Sequence, residues 1–156
     1  MTRARVLAIA VAFGRIGYVL LVNRKLYSWQ LSRQAAYSES EAARFAKLWI
    51  ARLRPDLVIT EDINDRCRKA EIARGLIQAI AAVADAEPQE HIIVERPRTF
   101  RNKYLEAMAF AERFPDLRSR VPKPRKVWDS EDRNTTIFEA LALALEVVDR
   151  EDDTLR

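Results

Sequence analysis

Two apolar runs, set almost back to back, constrain this chain more than anything else in it. Val6-Leu7-Ala8-Ile9-Ala10-Val11 is continuous and of strand length, and Gly17-Tyr18-Val19-Leu20-Leu21-Val22 follows closely. An uninterrupted apolar strand has no polar face to offer water. It belongs in the middle of a sheet that is covered on both sides. Gly14 and Gly17 flank a tight turn or bulge between the two runs. Asn23-Arg24-Lys25 is a hairpin connection, and Leu26-Tyr27-Ser28-Trp29-Gln30-Leu31 alternates loosely, as an edge strand does. Arg3 and Arg5 ahead of the first run superficially resemble a secretion signal. However, Arg15 interrupts the apolar stretch and Arg24-Lys25 closes the next one, so neither reaches the ~20 residues of a membrane span.

The remainder alternates helix and strand. Ser38 and Ser40 offer N-caps, with Glu39 and Glu41 favourable in a first turn, and Ala42, Phe45, Leu48, Trp49 and Leu53 recur at helical spacing. Leu57-Val58-Ile59-Thr60 is a short buried strand that ends at Glu61-Asp62. Ile72, Leu76, Ile77, Ile80 and Val83 mark a second helix, and His91-Ile92-Ile93-Val94 a fifth strand. Tyr104, Leu105, Met108 and Ala111 mark a third helix, closed by Phe114-Pro115. Residues 115–132 read as a loop rich in Pro and Arg, and Ile137, Leu141, Ala144, Leu145 and Val148 mark the last helix. The expected architecture is α/β: a mixed five-stranded sheet, three antiparallel strands then parallel strands, flanked by helices. Residues 1–150 form one domain, and residues 151–156 read as a frayed tail.

Composition narrows the chemistry. A single His (His91), a single Cys (Cys67) and 3 Gly in 156 residues leave no room for a His/Cys zinc site, a GxGxxG turn or a P-loop. They also argue against Ser-His-Asp and Cys-His nucleophile chemistry. Cys67 has no partner within the chain, which favours a reducing, cytoplasmic compartment. Any chemistry falls to carboxylates, holding a metal.

The formal net charge of +4 conceals strong segregation. Residues 1–54 carry net +8, residues 55–95 net −5, residues 96–126 net +7 and residues 127–156 net −6. The block from Arg96 to Lys126 interleaves its cations with Phe100 and Tyr104, and Trp128 stands just beyond it. Basic groups neutralise phosphates and aromatic rings stack on bases, so nucleic acid is one partner this pattern fits; ordinary solvated faces are the other reading.

Two carboxylates stand out. Glu61 ends a buried strand, at the sheet edge where ligands gather in open α/β folds. Glu139 lies near the start of the last helix beside the apolar stripe Leu141-Ala142-Leu143-Ala144. Glu139 is explained either by the helix dipole or by convergence with Glu61 on a hard divalent cation.

Four motifs, in order, then resemble one family. Val6–Ala12 followed by Gly17-Tyr18 is similar to an opening strand that carries an Asp, then a turn, then Gly-Tyr. Leu57-Val58-Ile59-Thr60-Glu61 is similar to a fourth strand ending in a catalytic Glu, Ala73-Arg74-Gly75 to an Ala-Arg-Gly on the next helix, and Glu139-Ala140-Leu141-Ala142 to a closing Asp-Ala-Leu-Ala. Together they resemble the RuvC-type Holliday-junction resolvases of the RNase H-like superfamily. The resemblance implies that fold, and a structure-selective DNA endonuclease of recombination and repair. It implies Mg (or Mn), two ions when the full carboxylate set is present, and branched or double-stranded DNA as partner. It leaves a homodimer open.

The match departs from the family at the centre of the site. The first-strand Asp falls on Ala10, the closing Asp on Glu139, and the other helix carboxylate on or near Thr136, with Asp132 the nearest acid. Asp129 and Glu131 are less favoured. The implied catalytic positions are therefore Ala10, Glu61, Glu139 and Asp132, the metal ligands being the last three. Lys103, Arg125 and Lys126 are candidates for holding a phosphate. Trp128 is a candidate for stacking on or wedging a base, or else it packs the last helix. Ala10 admits three readings: a substitution in an active nuclease, a natural protein that binds without cutting, or a catalytic alignment that fails on a correct fold. Under the first two this copy is inactive, and the second is a non-catalytic nucleic-acid-binding module.

Overall fold

A computed structural model describes residues 4–124 and 132–155, with side chains through residue 151. The three N-terminal strands are β1 (Arg5–Ala12), β2 (Arg15–Val22) and β3 (Lys25–Ser32). Then come α1 (Glu39–Leu53), β4 (Leu57–Glu61), α2 (Glu71–Ala86), β5 (Glu90–Val94), α3 (Lys103–Arg113) and α4 (Thr135–Leu155). The sheet order is β3-β2-β1-β4-β5. β1, β2 and β3 pair antiparallel, while β4 runs parallel to both β1 and β5. The expected mixed sheet is therefore the observed one, with the two apolar runs at and beside its centre.

Each face of β1 has its own core. Val6, Ala8 and Ala10 join Leu57 and Ile59 of β4 beneath Ile137, Phe138 and Leu141 of α4. Leu7, Ile9 and Val11 face the other way, against Trp49 of α1 and Leu76 and Ile80 of α2. This period-two division is why the run had to be apolar throughout. Each such Leu or Ile contributes about 1.5–3 kcal/mol by leaving water.

The start of α4 lies directly on the sheet. Gly17, paired with Ala10 across the β1–β2 ladder, makes that approach possible. A Cβ at Gly17 would come within 2.8 Å of Leu31 Cδ2 and 3.2 Å of Thr136 Cγ2. Gly14 serves a different need, holding φ at +77° in the β1–β2 turn.

Two segments differ from the sequence expectation. Pro115–Arg120 forms a 3-10 turn within the stretch read as loop, Pro supplying a fixed φ at its start. α4 extends over the stretch read as a tail, as far as Leu155. Among the described residues no helix is long and apolar enough to cross a membrane.

Candidate functional site

Strand register brings the expected positions together. β1 and β4 pair Val6 with Leu57 and Ala8 with Ile59, and Ala10 and Glu61 each lie two residues further along those strands. Alternation then turns Glu61 to the same face as Leu57 and Ile59, the face that α4 covers. Glu139 projects from α4 one turn after Thr135 and Thr136, and both carboxylates line the same cleft. Glu61 is only 5% exposed.

The partner of both carboxylates is a lysine that sequence reasoning did not single out. Lys69 Nζ lies 2.8 Å from Glu61 Oε1 and 3.0 Å from Glu139 Oε2. It also donates to the carbonyl of Val11, at the end of β1. Burial alone penalises the Lys69 charge, but the fields of Glu139 and Glu61 outweigh it, and its pKa stands above the ordinary lysine value. The ammonium therefore stays charged at neutral pH.

The loop that delivers Lys69 is itself tied down. Arg74, in the first turn of α2, donates to the carbonyls of Ile63 at 3.0 Å and Cys67 at 3.3 Å. Cys67 Sγ is 3.5 Å from Glu61 Oε2. The Ala-Arg-Gly stretch of the sequence thus anchors the segment that follows Glu61.

Arg96 adds a second cation. Its guanidinium donates to both oxygens of Glu106 on α3, at 2.8 and 3.3 Å, and its Nε lies 3.9 Å from Glu139 Oε1. Burial opposes the Arg96 charge, while Glu106, Glu139 and Glu61 favour it and raise its pKa. Glu106 is 4% exposed. α3 is held in place by Asn102, whose side chain accepts from the backbone N–H groups of Tyr104 and Leu105, both at 3.0 Å.

Around this centre opens a cleft of about 620 Å³, between the ends of β4 and β5 and the start of α3. Its wall carries Arg66, Arg68, Arg98, Arg101 and Lys103, with Phe100 among them. Asp62, next to Glu61 in the chain, lines the same cleft. The one histidine is absorbed elsewhere: His91 bridges Thr60 Oγ1 at 2.7 Å and Asp85 Oδ1 at 2.6 Å.

Of the residues singled out from sequence, the structure brings Glu61, Glu139 and Lys103 to this one cleft. Ala10 is fully buried on the α4 face of β1. Asp132 precedes α4, where its Oδ1 accepts from Asn134 N at 2.8 Å and its carbonyl from Thr135 N at 3.1 Å. It is not among the residues lining the cleft. Trp49 is a core residue and Trp29 is half-buried against the α4 face. Arg125, Lys126, Trp128, Asp129 and Glu131 lie outside the described residues.

A divalent ion wants several oxygen donors and no competing cation. Here the Lys69 ammonium sits between Glu61 and Glu139, and Ala10 supplies no oxygen. Among the described residues no group of three or more His, Cys, Asp and Glu is placed to hold a metal. This donor set does not fit one.

No protein-family model matches the sequence, and no curated protein matches it. Solved structures do resemble it. Thermus thermophilus RuvC shares 13% identity at a TM-score of 0.59, over 95% of this chain and 96% of that one. The fowlpox virus resolvase, solved with its substrate Holliday junction DNA, shares 16% identity at a TM-score of 0.60, over 94% of this chain and 98% of that one. T. thermophilus RuvC in complex with a Holliday junction substrate gives 16% identity and a TM-score of 0.54, over 90% of each chain. The fold is the RNase H-like fold of RuvC-type resolvases.

Proposed function

We propose that this chain is a nucleic-acid-binding protein on a resolvase scaffold, with branched DNA as its ligand and a centre that does not cut. The observation that carries the reading is Lys69 held between Glu61 and Glu139, beside a first strand with Ala10 in place of a carboxylate. The ammonium supplies the positive charge that a buried pair of glutamates requires, and so replaces the ion rather than assisting it. Metal-dependent water activation then has no place to occur. The basic wall of the cleft remains, and with it the means to hold a phosphate backbone.

A labelled four-way junction, a duplex and a single strand, titrated in EDTA, test the proposal. Binding without metal, weakening steeply with salt and tightest for the junction, is expected. Mg²⁺ or Mn²⁺ should then leave all strands intact on a denaturing gel. No binding to any of the three at low salt refutes the reading. The second reading, a metal-dependent resolvase, is favoured by the retention of both Glu61 and Glu139, and strand cleavage by the native chain would establish it.

A further inference from the structure

α4 separates two clefts, and only one of them holds the carboxylate centre. The other opens on the opposite side of β1, over β2 and β3, with a volume of about 480 Å³. Arg15 from the start of β2, Arg33 from the end of β3, Arg120 from the 3-10 turn and Arg133 from the approach to α4 line it, together with Trp29 and Gln30. No acidic side chain among the described residues shares that lining. Segments that are distant in sequence therefore place four guanidinium groups around one cavity.

Such a gathering is unusual with no acidic side chain among the described lining residues. Like charges at short range repel, and guanidinium groups pair with carboxylate or phosphate where they can. Arg120 donates to Asn134 Oδ1 at 3.5 Å, a neutral partner. The Nε of Arg15 is buried and has no hydrogen-bond partner among the described residues. A buried N–H left unpaired carries a desolvation cost that an anionic ligand removes. Trp29 provides a flat indole beside these donors. Guanidinium donors for phosphate together with an aromatic surface for a base are what an unpaired nucleotide needs.

We infer that this second cleft binds a short single-stranded segment of nucleic acid, its base against Trp29 and its phosphates on Arg15, Arg33, Arg120 and Arg133. The inference rests on the nucleic-acid reading above and adds a separate site to it. A branched substrate would then be held by two basic surfaces, one on each side of α4. The first takes backbone near Glu61 and Glu139, and the second takes an unpaired strand.

Arg33 and Arg133 are exposed, so reversing them does not disturb the core. Fluorescently labelled oligo(dT) is titrated with the native chain, with Arg33→Glu/Arg133→Glu, and with Arg98→Glu/Arg101→Glu in the first cleft. For a single strand, each phosphate that the protein no longer neutralises lowers the slope of log K against log salt by about 0.7. The first pair should therefore reduce the slope by about 1.4 and weaken binding about tenfold or more at low salt. The second pair should affect oligo(dT) less and a four-way junction more. Trp29→Leu should abolish quenching of a 2-aminopurine placed in the oligonucleotide. If the native chain binds oligo(dT) and Arg33→Glu/Arg133→Glu binds it equally well, this site is overturned while the nucleic-acid reading stands. If the native chain binds no nucleic acid, both fall.

Discussion

Replacing Lys69 by Met isolates the ammonium while keeping an unbranched side chain of similar reach. In the native chain that ammonium faces Glu61 at 2.8 Å and Glu139 at 3.0 Å, with only 17% of the lysine side chain exposed. Removing one partner of a buried ion pair costs about 3–5 kcal/mol, because the other charge stays buried without compensation. Arg96 Nε, 3.9 Å from Glu139, relieves part of that for one carboxylate. The expected loss is thus near the lower end, about 3 kcal/mol. A domain of this size has about 5–15 kcal/mol of stability, so the variant folds and the loss is measurable. Urea denaturation followed by far-ultraviolet circular dichroism reads it as a lower midpoint with an unchanged slope.

The pH dependence of the same variant has a definite sign. The folded pKa of Lys69 is raised, so its contribution is fully present below the unfolded value of about 10.4. It disappears only as pH rises through the folded value. The gap between native and variant should be flat across neutral pH. Adding Glu61→Gln to Lys69→Met should recover part of the loss, since fewer charges are then stranded. A Lys69→Met protein as stable as the native chain would mean that the ammonium is solvated rather than paired, and the substitution of lysine for metal would fall with it.

Three further outcomes follow from the geometry. Ala10→Asp alone should give no metal-dependent stabilisation, whereas Ala10→Asp/Lys69→Gln should raise the melting temperature with Mn²⁺, by about 2.7 kcal/mol of stability at a hundredfold excess over Kd. Gly17→Ala, which sets a methyl 2.8 Å from Leu31 Cδ2 under the start of α4, should cost about 1–3 kcal/mol in the same urea assay. Asn102→Ala removes the acceptor for Tyr104 N and Leu105 N and should cost about 1 kcal/mol, with Asn102→Ser recovering most of it.

Much of this fold was readable in the chain because its strongest signals are local. An apolar run with no polar face can only be a doubly covered strand, and Val6–Val11 is one. Ser38 caps α1 through a bond from Glu41 N at 3.0 Å, as its position before Glu39 and Glu41 implied. The approach of Glu61 and Glu139 was only one of two readings open in the sequence, because a glutamate at a helix start is equally explained by the helix dipole until the helix is placed on the sheet. Pro115–Arg120 was harder, because a 3-10 turn has too few residues to show a period. Lys69 was invisible for a different reason. It lies in the irregular stretch between β4 and α2, where no spacing rule relates a side chain to a distant partner. The one signal was indirect: two carboxylates at an apolar strand end and helix start call for a nearby cation. The second basic cleft was equally hidden, since Arg15, Arg33, Arg120 and Arg133 become neighbours only through the β2–β3 hairpin and the placement of α4.

Mn²⁺ binding to the native chain, read by the loss of the free-ion electron paramagnetic resonance signal, tests most directly whether Lys69 stands in for a metal. Native protein should leave Mn²⁺ free at neutral pH, and Ala10→Asp/Lys69→Gln should take it up. A stoichiometric Mn²⁺ site in the native chain, abolished by Glu61→Gln, would contradict that role for the lysine.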